Sequence, residues 1–172
     1  MLSRIDVANP APQALCICPT RELAIQNVMV MEKMGKYAKI TIAYTADPRW
    51  VERSSRRDKV DAQVVIGTPG KMLGWMREKQ LDCKGMKILV FDEADQMMDT
   101  DGHRVDSLKI MKHLKSSTKQ MPQVLLFSAT FNERVKDFST KVVPNANQIF
   151  LPAHELSLDV IKQHRVYVGS TE

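Results

Sequence analysis

The sequence predicts an open, mostly parallel α/β sheet with helices on both faces. Three observations carry that expectation. The short strands Ala14–Cys18, Val64–Ile66 and Ile88–Phe91 read as unbroken apolar runs, the pattern of strands buried on both faces. Strands and helical stretches alternate along the chain, the order that builds a parallel sheet. Polar clusters follow several strands directly, and in such sheets functional groups gather outside the carboxyl ends of the strands.

The elements follow in order. Ala14–Cys18 is stopped by Pro19. From Arg21 to Met34, Ala24, Val28 and Met31 recur at helical spacing, widened by Leu23, Ile25 and Met34, and Gly35 ends the helix. Ile40–Tyr44 reads as a strand and Trp50–Arg57 as a short polar helical piece. Val64–Ile66 turns at Gly67. Thr68 then stands at a cap position with Pro69 at the first helical residue, where its missing N–H costs nothing. Val105, Leu108, Met111 and Leu114 mark the helix after the Ile88–Phe91 strand, and Val124–Phe127 is the next strand. Thr130 and Glu133 have capping-box spacing. Ile149–Leu151 reads as a last short strand, and Val166 with Val168 as a possible edge strand.

The chain's 172 residues suit one domain, and 44% hydrophobic with 26% charged residues suits a globular fold. No apolar run reaches the roughly 18–20 residues a membrane-spanning helix needs, and the first residues lack a signal-peptide pattern. Membrane insertion is therefore not expected. Cysteines are odd in number (Cys16, Cys18 and Cys83). Without a secretory signal, that suggests a reducing, intracellular compartment. Cys16 and Cys18 share one side of a strand and read as small buried hydrophobes. The net charge of +5 permits nucleic acid or phosphate partners without requiring them.

The chemistry lies in four strand-end clusters. Asp92-Glu93 follows Phe91 at the tip of a buried strand, the Walker B arrangement of nucleotide triphosphatases. A first carboxylate there can hold Mg²⁺ through its waters, because Mg²⁺ gives up its hydration shell reluctantly. A second can orient and deprotonate an attacking water within hydrogen-bond reach. An acidic helix N-terminus is the plainer reading of the dipeptide alone. The other clusters are Pro19-Thr20-Arg21-Glu22, Thr68-Pro69-Gly70 and Ser128-Ala129-Thr130. Ser128 and Thr130 have a plainer reading as helix caps, and Arg21 as a solvated first-turn residue. Lys71, the scattered histidines and both tryptophans read as surface or packing residues.

Taken together the clusters resemble the DEAD-box RNA helicases. Val90–Asp99, containing Asp92-Glu93-Ala94-Asp95, is similar to that family's motif II. Ser128-Ala129-Thr130, 36 residues after Asp92, is similar to motif III. Pro19–Ala24 looks like motif Ia and Thr68-Pro69-Gly70 like motif Ib. Each short piece is common by itself. In the family's order, each at a strand end, they are specific. Val143–Asn147 and Asp159–Gln163 resemble the mRNA-export subfamily of the nuclear pore. So does Tyr44–Pro48, which lacks the Gly-Gly doublet of other members and leaves one RNA backbone contact open.

The resemblance implies a RecA-like, P-loop NTPase type of sheet. It implies Asp92 as the Mg²⁺ carboxylate and Glu93 as the catalytic base. It implies that Asp95 couples nucleotide to RNA through Ser128 and Thr130, with Pro19, Thr20, Arg21, Thr68, Pro69 and Gly70 on single-stranded RNA. Its cofactors would be ATP and Mg²⁺. Its partners would be mRNA, nuclear-pore proteins and an inositol-phosphate-bound activator, in a cytoplasmic and nuclear setting that includes the pore. Two domains would close on ATP and RNA and bend the strand to open a short duplex.

These 172 residues contain no Gly-x-x-x-x-Gly-Lys-Ser/Thr run. The expectation is therefore a fragment lacking the Walker A strand and loop and inactive alone as an ATPase. Residues 1–153 would be a truncated N-terminal RecA-like domain, with Met1–Asp6 ending the helix after the phosphate loop. Residues 154–172 would be the linker and the start of a second such domain. The vacant strand position beside Val124–Phe127 would be filled by Ile149–Leu151, by Arg165–Val168, or by a second copy through an exposed sheet edge. The alternatives are a naturally short, non-catalytic RNA- or protein-binding module and a Walker-type ATPase acting on something other than RNA.

Overall fold

The computed structural model describes residues 1–49, 59–151, 162 and 164–166. Five strands form one sheet: β1 (Ala14–Ile17), β2 (Ile42–Tyr44), β3 (Val64–Gly67), β4 (Ile88–Phe91) and β5 (Gln123–Leu126). Their order is β2-β3-β1-β4-β5 and every neighbouring pair is parallel. All residues of β1, β3 and β4 are buried, as their solid apolar runs predict.

Side-chain alternation along these strands builds two cores. Leu15, Ile17, Val65, Leu89 and Phe91 face one side. There they meet α2 (Pro69–Arg77), α3 (Ala94–Asp99), α4 (Asp101–Ser117) and α5 (Glu133–Val142). Ala14, Cys16, Val64, Ile66, Ile88 and Val90 face the other side, under α1 (Arg21–Met34). Phe91 meets Phe138 edge-to-face, with ring centroids 5.2 Å apart. That geometry adds about 0.5–1.5 kcal/mol to the area both rings bury. Cys16 and Cys18 are buried on one side, with Sγ atoms 3.9 Å apart.

Several sequence expectations need correction. Residues 40–41 precede β2, which begins at Ile42. The buried stripe of α4 is Ser107, Ile110 and Leu114; Val105 faces solvent, with Leu108 and Met111 half-buried. Ile149–Leu151 forms no strand and stays exposed, with the Phe150 ring edge-to-face against Phe131 at 5.1 Å. Val166 is likewise outside any strand. Val168 and the Trp50–Arg57 piece lie outside the described residues. Near the start, Leu2–Arg4 make a single 3₁₀ turn. Among the described residues no helix is long and apolar enough to cross a membrane.

Candidate nucleotide and RNA site

Because the strands are parallel, their carboxyl ends form one rim, and all four clusters stand on it. Backbone bonds tie the rim together. The Asp92 N–H donates to Ile17 O at 3.0 Å, and the Cys18 N–H donates to Gly67 O at 2.9 Å. The Ala94 N–H donates to Phe127 O at 3.0 Å. Asp92 is therefore beside the exit of β1, and the Asp92–Asp95 turn is beside the exit of β5.

The turn after β4 is sharply bent. Glu93 has φ 54° and ψ 52°, a left-handed conformation that non-glycine residues adopt rarely and that clusters at functional sites. It re-aims the chain so that α3 starts at once. Gln96 Nε2 donates to Glu93 Oε2 at 3.2 Å and steadies the carboxylate. Asn27 of α1 donates to Asp92 Oδ2 at 2.8 Å and lies 3.3 Å from Cys18 Sγ. Asp92 is half-buried, and among the described residues its second oxygen meets no protein donor. This donor set suits Mg²⁺, which keeps its waters and takes a carboxylate through them.

Asp95 closes the rim between α3 and the segment after β5. Its N–H donates to Ser128 Oγ at 3.1 Å. Its Oδ2 accepts the Thr130 hydroxyl at 2.7 Å and the Thr130 N–H at 3.0 Å. Ser128 Oγ in turn donates to Thr130 O at 2.7 Å. Partial burial raises the Asp95 pKa, but the Thr130 hydroxyl and the surrounding N–H groups outweigh it and hold the carboxyl below its ordinary value. The capping-box expectation is thereby overturned. The cap of α5 is Asn132, whose side chain accepts the Val135 N–H at 3.0 Å, while the Thr130 hydroxyl is spent on Asp95.

On the opposite flank, Thr20 caps α1 by accepting the Leu23 N–H at 3.1 Å, with Pro19 buried and Arg21 exposed. Thr68 is the N-cap residue of α2 by position, but its side chain makes no cap bond. Instead its N–H donates to Thr45 Oγ1 at 3.3 Å. Pro69 is buried at the helix start, and Gly70 and Lys71 face solvent. A Cβ on Gly67 would collide with the Thr45 side chain, so Gly67 is required by that close approach.

Sequence reasoning missed Asn27, Thr45 and Gln96. Asn27 had a usable signal: a polar residue three positions after Ala24 and next to Val28, at the border of the apolar stripe. Thr45 and Gln96 had none, since each acts on a residue met only in the folded chain or one helical turn away.

The DEAD/DEAH box helicase family model matches residues 1–138. Over 168 residues the chain is 53% identical to the DEAD-box ATP-dependent RNA helicase 38 of Arabidopsis thaliana, covering 96% of this chain and 34% of that protein. Among solved structures, Saccharomyces cerevisiae Dbp5 bound to RNA and ADP BeF3 superposes with TM-score 0.78 at 37% identity, covering 94% of this chain and 39% of that one. A variant of that yeast protein, bound to Nup159, a Gle1 variant, IP6 and ADP, superposes with TM-score 0.74 at 38% identity, covering 85% and 37%. The chain thus spans about a third of the length of the curated relatives it matches. A parallel sheet of the same architecture, four motif clusters on one rim and a family match over 138 residues agree: this chain belongs to the DEAD/DEAH box helicase family.

Proposed function

We propose that this chain forms the nucleotide- and RNA-facing rim of the first RecA-like domain of an ATP-dependent RNA helicase that remodels mRNA–protein particles during export. Residues 1–153 belong to that domain, and residues 154–172 lead into a second one. The likeness to yeast Dbp5 with RNA, Nup159, Gle1 and IP6 supports RNA, nuclear-pore proteins and an inositol-phosphate-bound activator as partners, with the nuclear pore as a place of action. One observation carries the reading. Asp95 joins the Asp92-Glu93 turn to Ser128 and Thr130, so a carboxylate pair and a hydroxyl pair share one rigid connection.

Asp92 would hold Mg²⁺ through water, and bound Mg²⁺–ATP would supply the phosphoryl group and neutralise its charge. Glu93, steadied by Gln96, would orient a water and accept its proton. Thr20, Arg21, Thr68 and Gly70, with Pro19 and Pro69 shaping the turns, would line the RNA backbone. Free N–H groups at the starts of α1 and α2 would meet phosphates there, and Arg21 could fork two donors onto one. Such contacts position a strand without reading its sequence.

The test is a chimaera in which residues 1–151 replace the matching segment of the Arabidopsis relative. RNA-stimulated phosphate release that Glu93→Gln abolishes is expected. Full activity after that substitution would remove Glu93 from the role. The 172-residue chain alone, without a phosphate-loop run, is expected to release phosphate at background.

A further inference from the structure

The sheet fixes the backbone of Asp92, whose N–H donates to Ile17 O at 3.0 Å. Its carboxylate is another matter, because the last torsion of an Asp side chain has broad minima. Asn27 removes that freedom. Its Nδ2 donates to Asp92 Oδ2 at 2.8 Å and to Cys18 Sγ at 3.3 Å. One bond reaches the exit of β4 and the other the exit of β1, so both amide hydrogens are used.

The chemistry decides which way this amide faces. A carboxylate oxygen only accepts, so the nitrogen and not the oxygen of Asn27 must meet Asp92. A flipped amide would set its carbonyl oxygen against that carboxylate and lose the contact with Cys18. The parts that hold the amide are themselves fixed. Cys18 is fully buried, and its N–H donates to Gly67 O at 2.9 Å. Ala24 and Val28, buried before and after Asn27, seat α1 on the sheet. A hydrogen bond to an ionised carboxylate is stronger than a neutral one. Asp92 Oδ2 is thus pinned, while Oδ1 meets no protein donor among the described residues.

We propose that Asn27 is a positioning residue for the Mg²⁺ carboxylate: it holds Asp92 Oδ2 so that Oδ1 is left for the metal's water shell. This role rests on Asp92 being that carboxylate. Donors behind a metal's ligands orient them, and losing one typically costs roughly 10–100-fold in metal affinity. With water between Asp92 and the ion, the lower end applies.

The experiment uses the chimaera described above and a fluorescent ATP analogue titrated with Mg²⁺. Asn27→Leu keeps the bulk of the side chain and removes the donor. It should raise the Mg²⁺ concentration at half-saturation about tenfold, while binding without Mg²⁺ moves much less. Asp92→Asn should raise it too. The double variant should be no worse than Asp92→Asn alone, because Asn27 acts through Asp92. A merely structural Asn27 would lower the urea midpoint of Asn27→Leu and leave half-saturation in place. That result, or additive effects in the double variant, would overturn the proposal. Analogue binding indifferent to Mg²⁺ or to Asp92→Asn would instead sink the reading of Asp92 itself. If Asn27→Leu does not fold, NMR of the 172-residue chain decides. One Asn27 Nδ2 proton should exchange slowly and Asp92→Ala should speed it; fast exchange in the unsubstituted chain would overturn the proposal.

Discussion

The Thr130 hydroxyl donates to Asp95 Oδ2 at 2.7 Å across 35 residues of sequence. That bond joins the turn after β4 to the turn after β5. The second oxygen-to-backbone contact, from the Thr130 N–H at 3.0 Å, fixes its direction. The two bonds tie one turn to the other.

This bond makes part of the stability pH-dependent. The Asp95 carboxyl is held below its ordinary value in the folded chain. Its contribution is then fully present above the unfolded-state value of about 3.9 and is lost as pH falls through the lower folded value. Thr130→Val removes the hydroxyl and keeps the shape. Urea midpoints measured from pH 6 to pH 3 should fall for the native chain and fall less steeply for the variant. Parallel curves would remove the hydroxyl from the acid dependence.

Arg21 stands exposed at the first turn of α1. Replacing it with Ala should weaken single-stranded RNA binding evenly across sequences. The slope of log K against log salt should fall in magnitude by about 0.7, the value for one lost phosphate contact on a single strand. Fluorescence anisotropy over a salt series measures it, and an unchanged slope would take Arg21 off the RNA.

Gly67 and Thr45 should behave as a coupled pair. Gly67→Ala drives a methyl group into the Thr45 side chain and should cost about 1–3 kcal/mol, as overpacking does. Thr45→Ala frees that space, so the double variant should recover much of the loss despite the lost bond to the Thr68 N–H. Chemical denaturation of all four proteins gives the coupling. Simple additivity would mean that the backbone shifts instead.

Much of this was legible beforehand because local signals and tertiary demands agree. Solid runs such as Ile88–Phe91 announce burial on both faces, and helix α1 carries its own stop in Gly35. The strand-end rim follows from parallel order alone. Where prediction failed, a distant partner decided the outcome. Thr130 looked like a cap because Glu133 follows at capping spacing, but Asp95 takes its hydroxyl and Asn132 caps instead. Ile149–Leu151 looked like a strand, yet it joins no ladder among the described residues, and Phe150 packs on Phe131 instead. The α4 stripe was read one step round the helix, since Ser107 is buried while Val105 is exposed.

The most direct test of the central claim is the change in RNA affinity on adding an ATP analogue with Mg²⁺, measured in the chimaera and three variants: Asp95→Asn, Thr130→Val and both together. A connection through Asp95 predicts that each single substitution removes most of the nucleotide-dependent tightening and that the double variant is no worse than either. Tightening that survives both single substitutions would contradict it.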